Sequence, residues 1–299
     1  MSGVGEVAIL GVGLDLGSLR RGVDMGPSAI RCADLSERIR SVGATVADLG
    51  NVPTALAETA PQSDAQTRYL PAILDTCGRL AAQVRATVDA GTTPIVLGGD
   101  HSIAMGTLAG LAAARGRGGV VWIDAHGDLN TPDTTPSGNV HGMPLAAALG
   151  ACGFSIDGMG RAPWVDPART VLVGVRQLDQ GEKRLVGELD LRVFTMSDID
   201  RRGIASVMAE ALGIAEGPNF VHVSFDVDVC DPEIAPGVGT PVPGGLSYRE
   251  AHLAMELVAD ADVLTAMEVV EVNPILDNAN VTGALAVELV ASALGASIL

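Results

Sequence analysis

Residues 120–128 read VVWIDAHGD, an apolar run that stops at Asp124 and opens into His126 and Asp128. Val120–Ile123 has no polar alternation, as a strand buried on both faces of a parallel sheet requires. The two carboxylates and the imidazole follow as soon as the run ends. In open α/β sheets, ligands collect outside the carboxyl ends of the strands. This short stretch therefore suggests both a fold and a place to look for a site.

Further apolar runs of the same kind lie at 7–14, 44–49, 93–97, 170–175, 192–195, 220–225 and 263–270. Helix-periodic segments separate them, at 28–42, 68–90, 103–115, 204–214, 248–259 and 283–294. Strand–helix–strand alternation from end to end predicts an α/β fold with a central sheet and helices on both faces. No repeat, low-complexity block or charged linker divides the chain, so residues 1–299 are expected to form a single domain. Two Gly/Pro-rich loops, 125–143 and 227–247, break the rhythm, and each begins where a strand stops. Loops this long in a compact domain are usually functional or disordered.

Composition narrows the function classes. The 299 residues carry 36 Asp+Glu against 19 Lys+Arg, a formal net charge of −17, which disfavours a phosphate backbone as partner and favours cations. Hydrophobic residues make up 47% and charged residues 18%, values that exclude a disordered chain. The four cysteines form no CxxC pair or scaffold spacing, and the N-terminal MSGVGEVAIL lacks a basic region before its apolar run. No stretch is long and apolar enough for a membrane span. A cytoplasmic protein with neither nucleic acid nor membrane as partner is expected.

Four clusters sit at strand ends: GGDHS (98–102), DAHGD (124–128), DVD (226–228) and EVNP (271–274). They hold His101 and His126, with His141 just beyond, in a chain that has only five histidines. On an extended backbone, Asp124, His126 and Asp128 would point to one side, as would Asp226 and Asp228. With His101 this makes four carboxylates and two imidazoles, a thiolate-free set that suits Mn²⁺ better than structural Zn²⁺. Two ions sharing bridging carboxylates account for that number of ligands. A lone strand-end Asp is more often a turn former or helix cap. It is the joint occurrence that points to metal.

Together with SFDVD (224–228), these motifs resemble the ureohydrolase family of arginases, agmatinases and their relatives. The resemblance runs from MGPSAIR (25–31) to the C-terminal helix. It implies a three-layer α/β/α fold and two Mn²⁺ per chain. His101 and Asp128 would hold one ion and His126 and Asp228 the other, with Asp124 and Asp226 bridging.

Within the family, Asn130, Thr135, Ser137, Asn139 and His141 resemble the arginase pattern around the α-carboxylate of L-arginine. Asp179 and Glu182, in RQLDQGE (176–182), resemble the acids that read the α-ammonium group. The loop Asn and Ser also suit side-chain turns, and Asp179 with Glu182 also reads as a capping box. The implied reaction is hydrolysis of L-arginine to L-ornithine and urea by a metal-bridging hydroxide. In it Asp128 would take a proton, His141 would shuttle one to the leaving amine, and Glu271 would pair with the guanidinium; Thr240 would be a substrate-side residue. A homotrimer or homohexamer is implied as well.

Alternative readings are an agmatinase or other guanidino-acid hydrolase, a metallophosphoesterase and a non-catalytic arginine-binding protein. Val229 and Cys230 stand where the family commonly has Gly-Leu, and Gln177 where some arginases carry an acid. Of the remaining histidines, His222 is expected in the core or behind the ligands, and His252 on a helix surface or interface.

Overall fold

The computed structural model describes residues 5–296. The first four residues of the N-terminal stretch and residues 297–299 lie outside the described part, as do the ends of the expected 1–299 domain. The strands are β1 (Glu6–Val12), β2 (Thr45–Asn51), β3 (Thr93–Gly98), β4 (Gly118–Ile123), β5 (Ser155–Ile156), β6 (Gly160–Arg161), β7 (Val165–Val175), β8 (Arg192–Thr195), β9 (Val221–Asp226) and β10 (Ala266–Val270). All but the small β5–β6 hairpin join one eight-stranded sheet in the order β2-β1-β3-β10-β9-β4-β7-β8. Its pairings are parallel throughout.

Among the described residues the α-helices are α1 (Gly26–Cys32), α2 (Leu35–Ser41), α3 (Leu70–Asp89), α4 (Ala104–Arg115), α5 (Pro144–Ala148), α6 (Gln180–Glu188), α7 (Met196–Arg202), α8 (Ile204–Ala215), α9 (Tyr248–Ala261) and α10 (Val281–Ala293). Successive side chains of a strand point to opposite faces, and here each face carries its own core. Val121, Ile123, Val223 and Phe225 pack with α1, α2 and α7–α10. Val120, Trp122, Val96 and Leu172 pack with α3, α4 and α5 on the other side. The central strands β3, β4, β9 and β10 are buried on both faces, whereas the edge strand β2 is largely exposed. The result is the expected three-layer α/β/α architecture.

Several boundaries differ from the sequence reading: α5, α6 and α7 fall outside the helix-periodic segments, and β7 begins at Val165. The single helix expected over 28–42 is broken by Asp34, whose φ of 64° is left-handed, into α1 and α2. Helix α7, short and opened by a Thr195–Asp198 capping box, carries too few turns to show a period.

The motif-bearing strands β3, β10, β9 and β4 are the four adjacent strands at the middle of the sheet. Register brings their ends level: Val270 pairs with Asp226, and Ile123 with Phe225. Gly99 stitches the ends of β1, β3 and β10 together. Its N–H donates to the Val12 carbonyl, its carbonyl accepts from Glu271, and a Cβ placed there would lie 1.9 Å from the Leu14 carbonyl oxygen. Gly99→Ala should therefore cost about 1–3 kcal/mol or more through forced backbone displacement. Urea denaturation would check this; an unchanged midpoint would show that the strand ends tolerate the shift.

Candidate metal centre

His101 opens a 3-10 turn after β3, and the buried Asp100 caps that turn by accepting from Ser102 N at 3.0 Å. The other Asp100 oxygen accepts from Gly17 N at 2.7 Å, tying the turn to the loop after β1. The His101 imidazole stacks on Trp122, with centroids 4.1 Å apart and planes 7° from parallel. Its Nδ1 lies 3.0 Å from Asp128 Oδ2, 3.2 Å from Asp226 Oδ2 and 3.3 Å from Asp124 Oδ2. Across the cluster, His126 Nδ1 lies 3.0 Å from Asp228 Oδ2 and 3.4 Å from Asp124 Oδ1. All six residues expected as ligands thus converge. They form two compact groups, His101–Asp124–Asp128 and Asp124–His126–Asp228, which share Asp124. Asp226 belongs to neither group, although it closes on His101.

The convergence does not come from extended backbone, as the residue spacing suggested. Asp226 ends β9 and Asp228 lies in a 3-10 turn, while Asp128 has a φ of 51°. Each strand-end aspartate both forms a turn and faces the cluster. Asp124 Oδ1 accepts from His126 N at 2.7 Å and Asp226 Oδ1 accepts from Asp228 N at 2.8 Å. Their Oδ2 atoms are the ones that approach His101. Trp122 Nε1 also donates to Asp124 Oδ2 at 3.1 Å, so one indole contacts two residues of the cluster.

Electrostatics make this cluster a cation trap. Burial and the neighbouring Asp124 charge push the Asp128 carboxyl up to about 6. Burial and mutual repulsion raise Asp226 and Asp228 as well. Burial alone would raise Asp124 and depress His126. The two imidazoles instead hold Asp124 low, while Asp228 and Asp124 bring His126 up to about 12. Buried carboxylates at this density need compensating positive charge. His101 Nδ1 is buried among carboxylate oxygens and makes no hydrogen bond. A divalent ion fits that donor set of oxygen and imidazole.

Beside the ligands, His141 Nδ1 meets Glu271 Oε1 at 3.0 Å, and the same oxygen accepts from His101 N. Glu271 Oε2 is buried without a hydrogen-bond partner. Glu271 also has a left-handed φ of 65°, which an ordinary residue adopts only when its surroundings enforce it. Burial opposes charge on His141, but Glu271 outweighs it and raises the imidazole to about 9.

The expected substrate-side residues are engaged in local contacts. Thr135 Oγ1 accepts from Gly138 N, Ser137 Oγ accepts from Asn139 N, and Arg68 donates to Asn139 Oδ1. Asn130 Nδ2 donates to Asp179 Oδ2 at 2.8 Å, bringing two of these residues together. Asp179 and Glu182 form the capping box of α6, and Glu182 Oε1 also accepts from Leu129 N. Thr240 donates to Asp228 Oδ2 at 3.0 Å. Of the departures from the family pattern, Val229 keeps a negative φ within its turn and so needs no glycine. Cys230 is buried, and burial raises its thiol.

Several contributors escaped the sequence reading. Arg176 donates to the carbonyls of Asp228, Val229, Cys230 and Val242, pinning the second long loop. Arg68 pins the first, and Trp122, Ser224 and Glu268 lie behind the cluster. The solitary Glu268 within the apolar strand AMEVV was the one legible signal among them.

Strand-end carboxylates and imidazoles on a parallel α/β/α sheet define a class of metal-binding enzymes. Comparison with known proteins makes the assignment specific. The Arginase family matches residues 5–295. The arginase of Bacillus caldovelox is 49% identical over 296 residues, covering 98% of this chain and 99% of its own. Its solved structure superposes with a TM-score of 0.94. The Bacillus subtilis (strain 168) arginase is 50% identical over 294 residues, with 98% and 99% coverage. A solved Bacillus cereus arginase gives a TM-score of 0.92 at 48% identity, over 98% of this chain and 100% of that one. The chain belongs to the arginase family. Among the described residues no helix is long and apolar enough to cross a membrane.

Proposed function

We propose that this protein hydrolyses L-arginine to L-ornithine and urea, with two Mn²⁺ per chain held by His101, Asp124, His126, Asp128, Asp226 and Asp228. The observation that carries this reading is the pair of three-residue groups sharing Asp124, with the free buried oxygen of Glu271 beside them. Divalent ions held there would supply the Lewis acidity that makes water a competent nucleophile near neutral pH.

The chain's own groups provide the rest. Glu271 Oε1 is occupied by His101 N and His141, so Oε2 is left to pair with the substrate guanidinium. Hydrolysis joins the water oxygen to the guanidinium carbon and breaks its bond to the side-chain nitrogen. Asp128, in the cluster beside His101, would take the water's proton. His141, raised to about 9, is protonated at neutral pH and suited to give a proton to the departing amine. Asn130, Thr135, Ser137 and Asn139 would accept the α-carboxylate and Asp179 and Glu182 the α-ammonium group. Binding would then exchange some of their present loop contacts for contacts with substrate.

Residues 1–299 are read as one catalytic domain, since β1 and β10 lie near opposite ends of the chain yet share one sheet, in which the strands that carry the site are adjacent. A reducing cytoplasmic setting suits the four free cysteines. Assembly as a homotrimer or homohexamer follows from the family resemblance, and sedimentation would check it.

The decisive experiment loads purified protein with Mn²⁺, measures metal per chain and assays urea release from L-arginine, agmatine and 4-guanidinobutyrate. Two ions per chain and fastest turnover of L-arginine are expected. Fewer than two ions would overturn the metal assignment, and faster turnover of agmatine the substrate assignment.

A further inference from the structure

Behind the metal-facing side of His101 lies a chain of polar groups sealed in the sheet. His101 Nε2 is 2.7 Å from Ser224 Oγ, and Ser224 Oγ donates to Glu268 Oε1 at 2.8 Å. Thr107 Oγ1 donates to the other Glu268 oxygen at 2.7 Å. His222 Nε2 approaches Glu268 Oε1 at 3.2 Å, while its Nδ1 is held by the Ala266 carbonyl at 3.1 Å. Thr107, His222, Ser224 and Glu268 are all 0% exposed. A carboxylate buried this deeply between apolar strand residues is costly unless it is satisfied and used.

The hydrogen bonds have a fixed direction. A carboxylate only accepts, so the Ser224 hydrogen is committed to Glu268. The Ser224 oxygen must then accept from His101, which places a hydrogen on His101 Nε2. In the neutral ring Nδ1 is consequently the bare nitrogen, and it is Nδ1 that faces Asp124, Asp128 and Asp226. Carbonyls also only accept, so His222 carries its hydrogen on Nδ1.

We propose that Glu268 is a positioning residue for His101, acting through the Ser224 hydroxyl to fix its tautomer and leave Nδ1 for the metal. This rests on the reading above that His101 ligates one of two ions. Hydrogen-bonded partners behind ligating histidines fix ring orientation and raise ligand basicity. Here the partner is relayed through a hydroxyl from a neighbouring strand. Sequence position hides the connection, since Glu268 lies far along the chain from His101.

The test measures Mn²⁺ binding to wild type, Glu268→Gln, Ser224→Ala and the double variant by calorimetry, with His101→Asn marking the ion that depends on His101. Glu268→Gln should raise the dissociation constant of that ion by roughly 10- to 100-fold and leave the other within about threefold. Ser224→Ala, which removes the relay without altering charge, should weaken the same ion. The double variant should be no worse than the more damaging single change, because residues acting in series are non-additive. Equal weakening of both ions, additive losses or unchanged affinity in Glu268→Gln would overturn the proposal. Should Glu268→Gln fail to fold, Ser224→Ala alone decides, and normal affinity there would overturn it. Wild type binding fewer than two ions would instead overturn the metal assignment beneath it.

Discussion

Glu271→Gln is expected to lower kcat/KM for L-arginine by roughly 30- to 5,000-fold while leaving both metal ions bound. The glutamine keeps the shape of the side chain and retains an oxygen for His101 N, which now donates to Glu271 Oε1 at 3.0 Å. It removes the negative charge from Oε2, the buried oxygen with no partner in the protein. Losing one member of a buried charge pair costs about 2–5 kcal/mol, which is the range stated. Glu271 belongs to neither metal-holding group, so metal content separates this loss from a ligand loss. His141 also loses the charge that raises it to about 9, so the pH at which its protonated form disappears should move downwards. Near-normal turnover with two ions bound would remove Glu271 from guanidinium recognition.

The second large effect is on metal affinity, which should rise with pH by up to ~100-fold per unit for the two ions together. The imidazole nitrogens that face the carboxylates are the ones that would bind metal. Without metal, the carboxylates favour a proton on them, and His126 is brought up to about 12. Loading both ions must therefore expel a proton from each imidazole, and the raised Asp128 can release a further one below about 6.

The sign for stability follows by linkage. A histidine with a raised folded pKa stabilises the metal-free fold most below its ordinary pKa. That contribution fades as pH climbs towards the folded value. Metal binding gains over the same interval, so the difference in Tm between Mn²⁺-loaded and chelator-treated protein should widen from pH 6 to pH 9. Calorimetric titration at several pH values, together with paired melts, would measure both. A dissociation constant flat across that range would mean the histidines do not ligate.

The residues of the cluster were legible in the sequence because strand ends are easy to see and chemically dense motifs there are rare. Asp124, His126 and Asp128 follow directly on an unbroken apolar run, and the buried parallel sheet accounts for that run. The route by which they converge was not legible. Alternation along extended backbone suggested one shared side, whereas a left-handed Asp128 and a 3-10 turn at 227–229 produce the cluster. Local spacing cannot reveal a turn that is enforced by contacts from other strands.

Trp122 and Ser224 stand two residues before an aspartate of the cluster, where they look like ordinary strand residues. Only the stacking on His101 and the bond to its Nε2 reveal what they do. Asp179 and Glu182 illustrate the converse. Both readings made of them, helix cap and substrate contact, remain compatible, because a capping carboxylate still has lone pairs to offer.

Asp124 and Asp226 divide their two oxygens between the backbone of their own turn and the ionic cluster. This division bears on how such proteins diverge. A descendant that abandoned catalysis would still need these aspartates to shape its loops, so selection for folding alone would preserve them. Glu271 has no comparable second duty for Oε2. In remote relatives whose activity has been lost, the glutamate should decay first. Its survival would be the better record of inherited chemistry.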